Sequence, residues 1–177
     1  MQTRKNILLT GAPGCGKTTV ITRLAGMLAP LSVSGFYTEE IRERRDRVGF
    51  RIKTFGGLEG ILAHVDFPGR PRVSKYGLDI AALNRIALPM MKVRPGADVF
   101  IIDEIGKMEG YSLAFHDAIR RLLDSPVVVV ATIALKGDGI ISEIKARPDV
   151  DLIEVTRTNR DELPSQIADR IRELHSP

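Results

Sequence analysis

Short apolar runs alternate with amphipathic stretches along most of the chain. The run at residues 7–10 predicts a buried strand, and apolar side chains at helical spacing in residues 17–28 predict a helix after a glycine-rich stretch. The same criteria predict further strands at residues 33–38, 48–55, 99–102, 127–130 and 152–155. They predict further helices at residues 80–90, 113–123, 140–146 and 161–174. Such an alternation is typical of an α/β three-layer sandwich with a mainly parallel sheet.

Two places in this pattern depart from regular structure. Pro89 falls inside the helix predicted at residues 80–90 and is expected to kink or shorten it, because proline lacks the amide donor. The charged stretch 42–47 separates two predicted strands and is expected to form a hairpin turn or loop. Since no linker rich in Pro, Gly or Ser interrupts the chain, residues 1–177 are expected to form a single domain.

Composition narrows the class of protein only a little. Hydrophobic residues make up 44% of the chain and charged residues 27%, as in an average soluble globular protein. The net charge of +4 suits a polyanionic ligand without specifying one. The single cysteine excludes an internal disulfide, and the three separated histidines do not predict a structural metal site. The apolar run at residues 7–9 is too short for a signal peptide or a membrane span, so a cytoplasmic protein outside the membrane is expected.

Residues 11–18 match the P-loop pattern, in which glycine, four residues, glycine, lysine and serine or threonine join a strand to a helix. Small residues let several backbone N–H groups converge on a phosphate, and the helix N-terminus favours the negative charge. Lys17 is predicted to neutralise the β- and γ-phosphates, and the Thr18 hydroxyl to bind Mg²⁺. Cys15 is interpreted as a small loop residue rather than a nucleophile, although a thiol beside a helix N-terminus can be reactive. The predicted nucleotide-binding residues here are Gly11, Ala12, Pro13, Gly14, Cys15, Gly16, Lys17, Thr18 and Thr19.

Asp103 and Glu104 follow the apolar strand predicted at residues 99–102, where ligands of parallel α/β sheets bind. Asp103 is predicted to hold the hydrated Mg²⁺, and Glu104 to orient or deprotonate the attacking water as the catalytic base. Read alone, an Asp-Glu pair is equally typical of a solvated strand end, but the P-loop upstream favours function. Thr132, at the end of the next apolar strand, is either a sensor of the γ-phosphate or an ordinary strand-end threonine.

Four segments beyond the P-loop carry a family resemblance: residues 35–42 (GFYTEEIR), 49–50 (GF), 103–109 (DEIGKME), and Thr156 with Asn159-Arg160. With them the chain resembles the small nucleoside-triphosphatases of bacteria, archaea and eukaryotes, including the cancer-related nucleoside-triphosphatase. The resemblance implies slow, Mg²⁺-dependent hydrolysis of ATP, GTP and other nucleoside triphosphates with broad base specificity. It also implies a P-loop NTPase fold of the RecA-like or related additional-strand type.

Three further residues are candidates for catalysis or for binding the nucleotide base. Lys107 is predicted to place a cation over the transferring phosphate in a catalytic role, which the resemblance favours over an exposed loop lysine. Asn159 and Arg160 follow the last predicted strand, where the base often lies in P-loop folds. A guanidinium stacked on the base would tolerate different bases, whereas the alternative interpretation is an ordinary helix start.

Other functions stay open on residue chemistry alone. A small-molecule or nucleotide kinase fits the chain length but needs a second substrate pocket. A nucleotide-dependent nucleic-acid-binding module is suggested by arginines at positions 42, 44, 45 and 47, yet Glu43 and Asp46 dilute that cluster and no aromatic side chains are interleaved. A solvated turn is preferred there, with an arginine finger acting in its own or a neighbouring subunit as another alternative. The oligomeric state is not determined by the sequence.

Overall fold

The computed structural model describes residues 4–69 and 71–175. Within them the strands are β1 (Asn6–Thr10), β2 (Val33–Glu43), β3 (Asp46–Thr54), β4 (Glu59–His64), β5 (Arg72–Val73), β6 (Tyr76–Leu78), β7 (Val99–Ile105), β8 (Val128–Ile133) and β9 (Val150–Glu154). The helices are α1 (Lys17–Met27), α2 (Ile80–Met90), α3 (Leu113–Asp124), α4 (Ile140–Lys145) and α5 (Leu163–His175). A short 3₁₀ turn spans Glu109–Tyr111.

The described strands form one nine-stranded sheet in the order β5-β6-β4-β3-β2-β7-β8-β1-β9. The core strands β2, β7, β8, β1 and β9 are parallel to one another. β8 lies between β1, which leads into the P-loop, and β7, which ends near the acidic pair, so the core has the additional strand that the resemblance implied. The predicted α/β fold with a mainly parallel sheet is confirmed for this core.

Alternate side chains of the parallel strands enter two separate cores. Ile7 and Leu9 of β1 pack with α1 and α5, whereas Leu8 belongs to the cluster formed with α2, α3 and α4. This division follows from the strand period of two residues, which sends successive side chains to opposite faces. Helices therefore cover both faces of the sheet, as the continuous apolar runs at residues 99–102 and 127–130 predicted.

The other half of the sheet is an antiparallel extension, formed by β3, β4, β6 and β5 beside β2. The sequence predicted only its first hairpin. That hairpin is longer than predicted, because β2 continues to Glu43 and pairing with β3 reaches Asp46. The predicted turn at residues 42–47 is therefore too wide, and only Arg44 and Arg45 lie between the strands. β4, β5 and β6 were not predicted, since segments of two to six residues carry little periodic signal.

Side-chain N-caps mark the starts of α2 and α3. Asp79 accepts a hydrogen bond from the Ala82 amide at the start of α2, and Ser112 accepts one from the Phe115 amide at the start of α3. Pro89 lies inside α2, which still spans the whole predicted range to Met90, so the predicted shortening is not observed. α5 begins at Leu163 rather than beside Asp161.

Candidate active site

The loop between β1 and α1 presents backbone N–H groups at the carboxyl end of the parallel strands. Gly16 precedes α1 in the left-handed conformation, with φ of 112°, and no side chain caps the helix. The amides of the first turn are thus left to a ligand, and the helix end favours an anion. A Cβ atom on Gly11 would meet the carbonyl oxygen of Val155 at 2.6 Å, so the packing of the loop against the end of β9 requires glycine.

Two side chains of the loop lie inward. The Lys17 ammonium donates a hydrogen bond to the Gly11 carbonyl oxygen at 3.0 Å and lines a cavity beside the loop. Cys15 is buried in the core on the α1/α5 face, which agrees with a packing role for its thiol. Pro13 also lines the cavity that contains Lys17, whereas Thr19 lies on another side of the loop, in a small pocket with Gly16.

Asp103 is the polar centre of the site. It is 1% exposed, and its two carboxylate oxygens accept hydrogen bonds from Thr18 at 2.7 Å and from Thr132 at 2.5 Å. Burial raises the pKa of Asp103, while hydrogen bonds from Thr132, Thr18 and the Thr38 backbone and the charge of Lys17 oppose the shift. The P-loop, β7 and β8 thus converge on one carboxyl group.

The oxygens of Thr18 and Asp103 fit a bound Mg²⁺. Mg²⁺ prefers hard oxygen ligands, and a protein commonly supplies one or two of them while phosphates and water supply the rest. The hydrogen bond of 2.7 Å between the Thr18 hydroxyl and the Asp103 carboxylate places both oxygens at the same point of the P-loop. Across residues 4–69 and 71–175 no group of three or more His, Cys, Asp or Glu side chains is arranged to hold a metal alone. This donor set suits an ion shared with a nucleotide.

Glu104 lies beside Asp103 and lines the same cavity as Lys17. Its side chain is half-buried, and burial raises its pKa, followed by repulsion from Asp103, against the opposing charge of Lys17. A carboxylate with a raised pKa is a stronger base than an exposed one, which suits a group that takes a proton from water. Glu104 and Lys17 thus line one cavity at the P-loop.

A second buried carboxyl, Glu109, supports the loop after β7. It accepts a hydrogen bond from the Gly106 amide at 3.1 Å, and a Cβ atom on Gly106 would lie 2.7 Å from Oε1 of Glu104. Burial above all raises the pKa of Glu109, to about 8, and the neighbouring Glu104 charge adds to the shift. The 103–109 segment thus folds as a compact unit around its two glutamates.

Lys107 is exposed at the edge of the cavity that contains Lys17 and Glu104. Two carboxylates of β2 near this cavity could also be considered as bases, but both have basic partners. Glu40 pairs with Arg42 and Arg47, and Glu39 pairs with Lys53 at 2.9 Å. The arginine cluster is therefore partly neutralised within its own hairpin.

Asn159 and Arg160 have different surroundings. The Asn159 amide is engaged in its own loop, where it accepts from the Thr156 amide at 2.8 Å and donates to the Glu154 carbonyl oxygen at 2.9 Å. Arg160 lies against the P-loop, since a Cβ atom on Gly16 would be 3.2 Å from its Cδ. A pocket of about 190 Å³ adjoins it, with Thr19 on its wall. Of the two residues, Arg160 has the side chain that faces a ligand-sized space.

Several residues of the site could not be found from their sequence positions. The Thr38 backbone reaches Asp103 because β2 pairs with β7. Glu109 was noticed only within the 103–109 segment that carries the resemblance. Phe50 and Leu62, which line the Lys17 cavity, come from the antiparallel extension. Phe50 lay in a predicted strand and in the 49–50 segment, whereas for Leu62 only a prediction of β4 and its pairing would have supplied a signal.

Comparison with known proteins decides the family. The family model described as NTPase matches residues 6–168. The nucleoside-triphosphatase THEP1 of Thermotoga sp. strain RQ2 is 43% identical over 162 residues, which cover 91% of this chain and 92% of that relative. The chain belongs to the nucleoside-triphosphatase family. The human cancer-related nucleoside-triphosphatase is 38% identical over 175 residues, covering 90% of this chain and 92% of the human protein.

Solved structures of this nucleoside-triphosphatase family have the same fold. The crystal structure of THEP1 from Aquifex aeolicus matches with a TM-score of 0.84 and 36% identity, covering 94% of this chain and 98% of that one. The solution structure of the human cancer-related nucleoside triphosphatase matches with a TM-score of 0.82 and 36% identity over 95% and 97% of the two chains. Among residues 4–69 and 71–175 of this chain, none of the helices has the length and apolar character needed to cross a bilayer.

Proposed function

We propose that this nucleoside-triphosphatase hydrolyses nucleoside triphosphates to diphosphate and phosphate in a Mg²⁺-dependent reaction and accepts several bases. The observation that carries the proposal is the meeting of Thr18, Asp103 and Thr132 directly beside Glu104 and the P-loop. This arrangement brings oxygen ligands for a metal, a general base and a phosphate-binding loop together in one site. The names of the relatives support the same reaction class.

In the proposed reaction the P-loop amides and Lys17 hold the β- and γ-phosphates. Glu104 takes a proton from water as the water oxygen bonds to the γ-phosphorus. The bond from that phosphorus to the β–γ bridging oxygen breaks, and its electron pair leaves with the nucleoside diphosphate. Mg²⁺, when bound by Thr18 and Asp103, supplies positive charge to the phosphate oxygens. Lys107 adds a second cation at the γ-phosphate as charge develops.

Broad base specificity is proposed from the guanidinium of Arg160, which lines a pocket of about 190 Å³ beside the P-loop. A guanidinium plane offers stacking to every base, because each base has a π-face. Asp161, which pairs with Arg23 at 3.2 Å, is the neighbouring group that would read guanine if the pocket were selective.

The test is phosphate release from ATP, GTP, CTP and UTP at several Mg²⁺ concentrations and in excess chelator. We expect activity to disappear with chelator and kcat/KM to differ by less than about tenfold among the four bases, within roughly 1.4 kcal/mol. A strong preference for guanine would contradict broad specificity and implicate Asp161. Turnover at the full rate in chelator would contradict the metal role of Thr18 and Asp103.

A further inference from the structure

The cavity beside the γ-phosphate position is much larger than hydrolysis requires. Its volume is about 480 Å³, and Lys17 and Glu104 lie on its wall. A water molecule accounts for only about 30 Å³ of liquid volume. Even with a γ-phosphate against Lys17, space for a small organic molecule is left next to the catalytic base. We call this space the γ-chamber.

The nucleotide base does not account for the γ-chamber. In a P-loop the lysine reaches the β- and γ-phosphates, whereas the loop amides and helix start hold the phosphates nearer the base. Lys17 and Glu104 therefore mark the γ-phosphate end of the ligand. The pocket that contains Thr19 and Arg160 adjoins the helix start and shares no lining residue with the γ-chamber. The base has its own place on the Arg160 side.

The walls of the γ-chamber suit a molecule with an apolar body. They are built by side chains from the antiparallel extension and from the segments that follow β7 and β8. The apolar members are Phe50, Leu62, Val73, Met108, Ala134 and Leu135. A chamber for water alone would gain nothing from such walls, because apolar surface is stabilised only by covering it with apolar groups.

Charged groups at the wall add a requirement for an anion. Lys107 and Lys136 both line the γ-chamber, and in residues 4–69 and 71–175 neither ammonium has a hydrogen-bond or ion-pair partner. Glu109, also on the wall, is buried, which raises its pKa. A carboxylate on the occupant would pair with Lys136, while Lys107 stays at the γ-phosphate and Glu104 at the reacting hydroxyl.

We propose that the γ-chamber binds a small alcohol with an apolar body and a carboxylate, and that the enzyme transfers the γ-phosphoryl group to its hydroxyl. The proposal rests on the proposed function, since it uses the same P-loop and base. The alcohol oxygen bonds to the γ-phosphorus, its proton passes to Glu104, and the bond to the β–γ bridging oxygen breaks with its electron pair leaving on the diphosphate. Hydrolysis is then the slower reaction of water in an unfilled chamber.

The test compares the amount of nucleoside diphosphate formed with the amount of phosphate released. The probe alcohol is 4-(hydroxymethyl)benzoate, and the comparison alcohols are benzyl alcohol, which lacks the carboxylate, and glycerol, which lacks both the carboxylate and the apolar body. Hydrolysis yields the two products in equal amounts, whereas phosphoryl transfer yields diphosphate in excess together with a phosphate monoester detectable by ³¹P NMR. We expect at least a tenfold excess of diphosphate with 4-(hydroxymethyl)benzoate at saturation. 4-Methylbenzoate, which lacks the hydroxyl, should inhibit transfer competitively with that alcohol.

Variants separate the chamber from its surroundings. Val73→Trp fills the γ-chamber and should lower the ratio of transfer to hydrolysis at least tenfold. Val93→Trp is the matched control, because Val93 is 46% exposed and outside the chamber, and it should leave the ratio unchanged. Lys136→Met should abolish the preference for 4-(hydroxymethyl)benzoate over benzyl alcohol. If Lys136 does not bind the carboxylate of the alcohol, the variant will keep the preference for 4-(hydroxymethyl)benzoate, which would contradict the proposed role of Lys136.

Equal diphosphate and phosphate with all three alcohols would overturn the transfer proposal while leaving hydrolysis standing. Diphosphate formed only when an alcohol is present would instead overturn the proposed hydrolase and support transfer. If Val73→Trp weakens binding of a non-hydrolysable nucleotide more than tenfold, the chamber holds the nucleotide and the proposal is wrong. Absence of diphosphate under every condition would overturn both.

Discussion

The two ends of the proposed nucleotide site are built in opposite ways. At the proposed γ-phosphate end, Asp103 is 1% exposed and held by two hydroxyl groups, and Glu104 and Glu109 are partly or fully buried beside it. At the proposed base end, Arg23 and Asp161 form an ion pair whose side chains are 56% and 71% exposed. Buried charges interact strongly and exposed ones are screened by water. Chemistry should thus depend steeply on the first set and base choice only weakly on the second.

The largest effect is expected from Lys17→Ala. The substitution removes the charge that holds the β- and γ-phosphates in the ground and transition states, so both affinity and turnover should fall. We expect kcat/KM to drop about a thousandfold, the upper range for loss of one electrostatic stabiliser. Steady-state kinetics and nucleotide titration measure the two parts. Unchanged affinity and rate would show that the loop does not bind phosphate.

Glu104→Gln should lower kcat by about a hundredfold with little change in nucleotide affinity. Glutamine keeps the shape but cannot take the proton from water, and a positioned base contributes at least this factor. Asp103→Asn provides the contrast, because part of its loss should be recovered at high Mg²⁺. The Glu104→Gln loss should resist added metal. If Glu104→Gln hydrolyses at the parent rate, another group holds the water.

Glu109→Gln should change how stability depends on pH. Folding raises the pKa of the Glu109 carboxyl from 4.5 to about 8. The contribution of this group to stability is therefore fully present below pH 4.5 and is lost as the pH rises through 8. Between those values the free energy of unfolding should fall by about 1.4 kcal/mol per pH unit from this group. Urea unfolding of parent and variant at pH 5 to 9 measures the difference in slope. Identical slopes would mean that Glu109 does not titrate in this range.

The smallest effect is expected at the base end, from Arg160→Ala. Loss of one stacking guanidinium is worth about 1 kcal/mol, so KM should rise roughly fivefold and equally for ATP, GTP, CTP and UTP. Arg157→Ala, in an exposed position of the same loop, is the control and should leave KM unchanged. A rise confined to one base would show that Arg160 reads base edges rather than stacking.

Sequence reasoning predicted the position of the P-loop between a strand and a helix better than the walls of the γ-chamber. The P-loop is one continuous segment, and its place between a strand and a helix followed from the apolar pattern at residues 7–10 and 17–28. The hydrogen bond from Thr132 to Asp103 joins residues 29 positions apart and depends on the pairing of β7 with β8. Thr132 was therefore left open between two interpretations, although the strand end itself was predicted.

What the sequence by itself determined is the order of strands and helices in the parallel core, the phosphate loop and the acidic strand end. Each is encoded locally, in the period of apolar residues or in adjacent residues of one loop. Only the tertiary structure decided the antiparallel extension and the γ-chamber that it helps to enclose. Phe50, Leu62 and Val73 lie on β3, β4 and β5, of which β3 and β4 pair directly and β5 joins the sheet through β6. Such pairing is set by the burial of a whole face, which no short segment specifies on its own.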